Sequence, residues 1–403
     1  MKAPKGVALL GPAIVAAVAY LDPGNVATNL SAGAGFGYLL TWVIVLANLM
    51  AWLVQYLSAK LGLVTGSTLP ELLGARMRTG RGRFAFWLQA QVVAIATDVA
   101  EVIGGALALN LLFNLPVLTG GVITGVISTF LLSLRSRGLL RAFEFVILAL
   151  VLITGVGFVA ALFVAPPAVS GIASGLIPGF ADSTSVLLAV GIFGATIMPH
   201  AIYAHSALSR DRFAAIMHTT NLRVLLRATK WDVTIAMALA GLVNLAILFV
   251  GASALSGVTI SNSISGAYIA LHASLGTTVA VLFAFGLLAS GLASSAVGTF
   301  AGGVITQGFL KREWNPLVLR VVTLLPALVV IAVASDPTQA LVYSQVLLSF
   351  GLPFAVFPLV RLTSDARLMG EHVNGRLTRF LGYSVAILVT TLNLALLWLT
   401  FAS

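Results

Sequence analysis

Two short polar clusters interrupt apolar stretches of this chain: Asp22-Pro23-Gly24-Asn25 and Met198-Pro199-His200. Asp22 lies deep in an apolar run, where an ionised carboxylate costs at least about 2.5–3.5 kcal/mol on insertion scales. Such a residue faces a cavity or a partner. Pro23 has no N–H and its ring clashes with the preceding turn, while Gly24 tolerates unwinding. Unwinding frees backbone carbonyls, which must bond to something where water is absent. A cation would satisfy those carbonyls, the Asp22 carboxylate and the Asn25 amide oxygen together. The candidate carbonyls are those near Ala19 in the first cluster and Ala195 in the second. Met198 contributes a soft thioether, whereas magnesium and calcium demand oxygen. A mixed oxygen and sulfur set favours Mn²⁺, Fe²⁺, Co²⁺ or Cd²⁺. A buried methionine alone usually just fills space; the place of Met198 beside Pro199, in the interruption matching Asp22, turns the reading towards a ligand.

A second constellation is Asp98 and Glu101, whose i,i+3 spacing puts both carboxylates on one helix face. Gln91, Ala94 and Gly105 extend that face as a stripe of small and polar residues. Intramembrane carboxylates of this kind form proton relays. The competing reading is a static paired network, with Arg320 as the partner. His200, next to the candidate ligands, titrates near neutral pH when unperturbed and suits a modulating role. His205 fits a packed helix histidine equally well, and His218, His272 and His372 lie outside the apolar stretches.

The elements that carry these residues follow from composition. Of 403 residues, 59% are hydrophobic and 8% charged, against about 25% charged in a soluble protein. The chain reads as an all-α integral membrane protein. The absence of cysteine excludes disulfides, thiolate ligands and iron–sulfur clusters. A span needs about 20 apolar residues, which gives about eleven. They centre on Val7–Phe36, Tyr38–Gly62, Phe84–Phe113, Leu118–Leu134, Phe143–Val164, Val186–Leu208, Val233–Leu255, Thr278–Phe309, Val318–Ala334, Ala340–Val360 and Phe380–Phe401. Lys2, Lys5 and the small residues Ala17-Val18-Ala19 outline a secretory signal peptide, but an uncleaved first span is the better reading. The Pro-, Gly- and Ser-rich connection Pro166–Ser185 divides the chain into halves.

Basic residues fall in alternate connections: Arg76 to Arg83, Arg135 to Arg141, Arg210 to Lys230, Lys311 with Arg312, and Arg361 to Arg379. The intervening connections hold no Lys or Arg. This positive-inside pattern puts the N-terminus in the cytoplasm and the C-terminus outside, in a cell membrane. It accounts for the net charge of +10 without a nucleic-acid partner. The interruptions fall in the first and sixth spans, as in an inverted five-plus-five repeat with broken helices at matching places. The expected layout is 1–170 for the first repeat, 171–362 for the second and 363–403 for an extra span, all in one transport domain.

Asp22-Pro23-Gly24-Asn25, Met198-Pro199-His200 and Tyr203-Ala204-His205-Ser206 together resemble the signature motifs of the Nramp family of divalent metal transporters. Ala96-Thr97-Asp98-Val99-Ala100-Glu101, the run from Ala289 to Thr299 and the run from Ser344 to Gly351 extend the resemblance over nearly the whole chain. It implies a LeuT-like fold and metal–proton symport into the cytoplasm. It implies metal ligation by Asp22, Asn25, Met198 and the Ala19 and Ala195 carbonyls, with Gln345 joining in some states. Asn244 matches a family asparagine with a similar role, and Thr196 and Gln91 are supporting polar groups. The proton would pass from Asp22 through Asp98 and Glu101, with His200 and Arg320 beside the route. The chain departs from the family pattern where Gln91 replaces a glutamate and Leu319 precedes Arg320 in place of an arginine, which thins the expected proton route.

The resemblance implies metal and proton as substrates, no cofactor, no enzymatic activity and no obligate protein partner beyond the bilayer. Three other readings fit less well. A sodium-coupled amino-acid carrier of the same fold would hold a carboxylate at half-helix N-termini, and Asp22 would repel it. A membrane metalloprotease would need a His-Glu-x-x-His motif, which does not occur. A channel would need a ring of ligands from identical subunits. A metal uniporter with weak proton coupling remains the nearest alternative.

Overall fold

The computed structural model describes residues 12–136, 139–164, 166–214, 221–255, 264–334 and 336–402. Lys2, Lys5, the start of the expected first span, Arg137 and His218 lie outside them. Among the described residues there is no strand.

The first span is α1 (Pro12–Ala17), a 3₁₀ turn over Val18–Leu21 and α2 (Pro23–Phe36). The second is α3 (Thr41–Thr65). Its connection holds α4 (Leu69–Arg76), opened by a capping box in which Thr68 and Glu71 satisfy each other's backbone N–H groups. Then come α5 (Gly80–Phe113), α6 (Val117–Ser136) and α7 (Leu140–Val164). The expected divide carries a short helix, α8 (Val169–Gly175). The sixth span is α9 (Ser183–Ile197) followed by α10 (Pro199–Phe213), and the seventh is α11 (Leu222–Ala254). A further helix, α12 (Ile264–Leu275), precedes α13 (Thr277–Leu310), α14 (Pro316–Val333) and α15 (Pro337–Thr363). A one-turn α16 (Ala366–Met369) leads to the last span, α17 (Arg376–Ala402).

Over their described residues all eleven expected spans are helical, although only seven of the described helices meet a strict criterion of length and hydropathy. The helices α6, α7 and α14 carry shorter apolar stretches, and the first span is broken. Two features differ from the sequence reading. α8 and α12 lie between spans; they are too short to cross a bilayer, so a search for span-length apolar runs passes over them, even though α12 is apolar. The long helices also run several residues past the expected apolar limits, because polar caps such as Thr79 and Asn221 start them outside the apolar zone.

The core follows from close helix contact between small residues. Along α5 and α13 a Cβ added at Gly291 would lie 2.8 Å from the Glu101 carbonyl oxygen. Backbones this close give van der Waals packing without a hydrophobic drive, as membrane interiors require. At the arginine-rich end, Glu71 pairs with Arg210 (2.9 Å), Arg76 with Asp365 (2.7 Å) and Arg223 with Glu371 (2.9 Å). Each exposed pair contributes at most about 1 kcal/mol; together they tie α4, α10, α11 and the α15–α17 connection.

Candidate functional site

Both breaks are built as the sequence requires. Asp22 caps α2 with an extended backbone (φ −68°, ψ 163°), and Pro23 follows at the first helical position. That position has no intrahelical use for an N–H, so proline fits it without loss. The Asp22 Oδ1 accepts hydrogen bonds from the Asn25 backbone N–H (2.8 Å) and from Asn25 Nδ2 (2.9 Å). In the sixth span a single residue, Met198, separates α9 from α10. Its φ of +39° is in the left-handed region that a side chain disfavours, a strain of about 1–3 kcal/mol that the packing around it must hold.

The breaks meet each other. Asn25 Nδ2 also donates to the Ala195 carbonyl at 2.9 Å, and Thr196 Oγ1 donates to Asn25 Oδ1 at 3.4 Å. One amide thus joins the carboxylate of the first break to the carbonyl of the second. Asp22, Asn25, Ala19, Ala195 and Met198 are all fully buried. The second Asp22 oxygen, Oδ2, has no hydrogen-bond partner among the described residues. Gln345 of α15 completes the group: a Cβ added at Gly24 would fall 1.9 Å from its Nε2. Its Nε2 donates to Ser344 Oγ (3.1 Å), and its Oε1 has no partner among the described residues. α15 comes this close to α9 because Gly194 faces the Gln345 backbone carbonyl, where a Cβ would lie at 2.0 Å. Among the described residues no three His, Asp or Glu side chains gather as a metal cluster. Any ion here would rely on one carboxylate with amide, carbonyl and thioether groups.

Asn244 has a different place from Asp22 and Asn25. Its Nδ2 donates to the Tyr20 carbonyl (3.0 Å), and its Oδ1 accepts from Asn29 Nδ2 (3.0 Å). Ser290 donates to the Leu21 carbonyl. Two of the carbonyls freed by the break are therefore satisfied by side chains of α11 and α13.

The two carboxylates of α5 have unequal surroundings. Both oxygens of Asp98 accept from Arg320 Nη1, at 2.5 and 2.7 Å, and Ser295 donates to Oδ1 at 2.6 Å. Arg320 is held in turn by Ser128 (2.8 Å) and Thr299 (3.3 Å). Arg320 and Asp98 side chains are 3% and 0% exposed. Glu101 is equally buried, yet neither of its oxygens has a hydrogen-bond partner among the described residues. His200 bridges the groups: its Nδ1 lies 3.1 Å from Thr97 Oγ1 on α5, one residue from Asp98, and its Nε2 has no partner among the described residues. His205 bonds Gln55 of α3 at 2.7 Å. Gln91 is buried with both amide atoms unpartnered among the described residues, facing Gly302 of α13.

This arrangement has known counterparts. The family model of natural resistance-associated macrophage protein-like (Nramp) proteins matches residues 13–399. The chain belongs to the Nramp family. It is 56% identical over 393 residues to the divalent metal cation transporter MntH of Mycobacterium tuberculosis, covering 97% of this chain and 91% of that one. The crystal structure of the Eremococcus coleocola manganese transporter, bound to an aromatic bis-isothiourea compound, superposes with a TM-score of 0.86 at 34% identity, over 97% of this chain and 86% of that one. MhsT, solved with L-phenylalanine, shares the fold at a TM-score of 0.64 and 13% identity, over 96% and 98% of the two chains. This Nramp chain is a multi-pass membrane transporter with the LeuT-like fold, and not an enzyme.

Sequence reasoning for this Nramp protein missed several partners. Asn29, Ser128, Ser290, Ser295 and Thr299 make the hydrogen bonds that hold the breaks and the Asp98–Arg320 pair. The last three lie in the run from Ala289 to Thr299, whose small hydroxyl residues were the available signal.

Proposed function

We propose that this Nramp chain is a symporter that brings Mn²⁺ or Fe²⁺, and also Co²⁺ or Cd²⁺, into the cytoplasm together with protons. The observation that carries the reading is Asp22. A fully buried carboxylate with one oxygen unpartnered among the described residues sits at the meeting of two broken helices. A desolvated carboxylate in that position is costly without a cation or proton.

In this reading Asp22, Asn25, Met198 and the Ala19 and Ala195 carbonyls hold the metal, with Gln345 as a further ligand. Asn25 already links Asp22 to Ala195 through its amide nitrogen. A half-turn of that amide would offer Oδ1 to an ion between the same groups. The thioether of Met198 favours softer transition metals over calcium and magnesium. Asp22, His200, Asp98, Glu101 and Arg320 carry or tune the proton route. Glu101 has room to accept a proton because no hydrogen bond fixes its charge among the described residues, while Asp98 is neutralised by Arg320.

The alternation of basic connections supports a cytoplasmic N-terminus and an outer C-terminus in the cell membrane. The first and second five-span halves, 1–170 and 171–362, would be inverted repeats, with 363–403 added. Gln91 and Leu319, uncharged where the proton route would continue, favour a second reading, a metal uniporter with weak coupling. Mn²⁺ uptake into proteoliposomes holding a pH reporter separates the two. Symport predicts internal acidification that tracks metal influx; influx without acidification would retain the metal and reject the coupling.

A further inference from the structure

A groove of about 530 Å³ lies at the arginine-rich end of the bundle, and no residue of either break lines it. It is bounded by α4, the start of α5, the end of α15 and the start of α17. Phe86, Phe357, Leu362 and Tyr383 line it together with Arg76 and Arg361, both of which are exposed. We propose that this groove binds an anionic phospholipid of the cytoplasmic leaflet, with the phosphate on the two arginines and an acyl chain against the aromatic wall.

Depth supports a lipid. Phe86 is six residues inside the start of α5, Phe357 six inside the end of α15, and Tyr383 seven inside the start of α17. At 1.5 Å per residue these rings lie roughly 9–10 Å below the helix ends. Arg76 is the last residue of α4, and Arg361 lies two residues inside the end of α15. An apolar wall one headgroup's depth beneath these arginines matches a phospholipid from phosphate to upper acyl chain. Ring contacts fix the wall: Phe357 and Tyr383 lie 6.2 Å apart, and Phe86 packs edge-on to Phe354 at 6.0 Å. Phe354, exposed and packed on Phe86, extends the wall onto the outer surface of the bundle.

Charge selects the headgroup. Arg361 is exposed and pairs with no acidic side chain among the described residues. Arg76 gives Nη2 to Asp365 (2.7 Å), which leaves other donors of its guanidinium for a ligand. Guanidinium groups bind phosphate through paired hydrogen bonds. Basic pockets between helices at the cytoplasmic face are suited to acidic lipids. That face is cytoplasmic under the orientation proposed above; the binding test does not depend on transport.

The full-length protein, stripped of lipid in detergent, is offered phosphatidylglycerol and phosphatidylcholine with the same acyl chains, and adducts are counted by native mass spectrometry. Phosphatidylglycerol should be retained in clear excess. Arg361→Gln and Arg76→Gln should each lower its retention about fivefold, while R379Q, an exposed arginine outside the groove, should not. Arg361 makes no ion pair to lose, so its variant tests binding even where R76Q disturbs folding. Equal retention of the two lipids, or unchanged retention by R361Q, would overturn the proposal. Displacement of the lipid by millimolar glycerol 3-phosphate would also overturn it, since the groove would then be a site for soluble anions. Failure of metal uptake would leave these outcomes unaffected.

Discussion

Replacing Asp98 with asparagine should destabilise the protein by about 3–5 kcal/mol, the cost of leaving a buried charge without its partner. The structure sets the size of the effect. Both carboxylate oxygens lie within 2.7 Å of Arg320 Nη1, and neither side chain is more than 3% exposed. A guanidinium keeps its charge, so Arg320 in Asp98→Asn stays cationic with only neutral acceptors, the Ser128 and Thr299 hydroxyls and the new amide oxygen. Arg320→Met should cost less, since the Asp98 carboxylate can discharge by binding a proton. In the double variant no charge remains. It should recover most of the loss, short by about 1–3 kcal/mol for the hydroxyls that lose their partners. Equilibrium unfolding of the four proteins in micelles gives the coupling energy, expected at about 2 kcal/mol or more. An Asp98→Asn variant as stable as the parent would refute the reasoning, as would losses that simply add.

Met198→Ala should weaken Cd²⁺ uptake and admit Ca²⁺ or Mg²⁺; competition assays with these ions would show unchanged selectivity if the sulfur only packs. Gly194→Ala places a Cβ 2.0 Å from a backbone oxygen and should lower stability by about 1–3 kcal/mol. Gly24→Ala meets the end of the Gln345 side chain, which can swing aside, so its main effect should be on Mn²⁺ affinity; equal unfolding losses in both would contradict this. Glu101→Gln should suppress proton influx more than Mn²⁺ influx in vesicles with a pH reporter, and equal loss of both would remove Glu101 from the proton route. The hydrogen bond from Arg76 holds the Asp365 carboxylate below its usual range, with help from the Arg367 backbone N–H. A lowered value means that any stabilisation is present above the ordinary aspartate value of about 3.9 and fades as pH falls through the lowered one. Asp365→Asn should therefore differ slightly from the parent at neutral pH and match it in acid, as thermal melts at several pH values would show.

The spans were legible because apolar runs and arginine-bearing connections depend on composition along the chain. The breaks were legible because Pro23 and Pro199 stand beside polar residues that membranes rarely tolerate. The network around them was harder to read. Ser290, Ser295 and Asn29 are small polar residues common in helix interfaces; the approach of α13 and α11 to the first break gives Ser290 and Asn29 their partners, and the packing of α13 on α5 gives Ser295 its own, Asp98. The face shared by Asp98 and Glu101 was visible from spacing, but their unequal surroundings were not. Arg320 lies 222 positions from Asp98 along the chain, and no local pattern shows which carboxylate it meets. The helices α8 and α12 escaped because neither has the length of a span, although α12 is apolar.

The most direct measurement is Mn²⁺ uptake by proteoliposomes carrying the parent or Asp22→Ala, with both proteins shown to be folded by their unfolding curves. The paired breaks predict saturable uptake by the parent and none above protein-free vesicles for the variant. Parental uptake by a folded Asp22→Ala protein would contradict the assignment of the metal to this site.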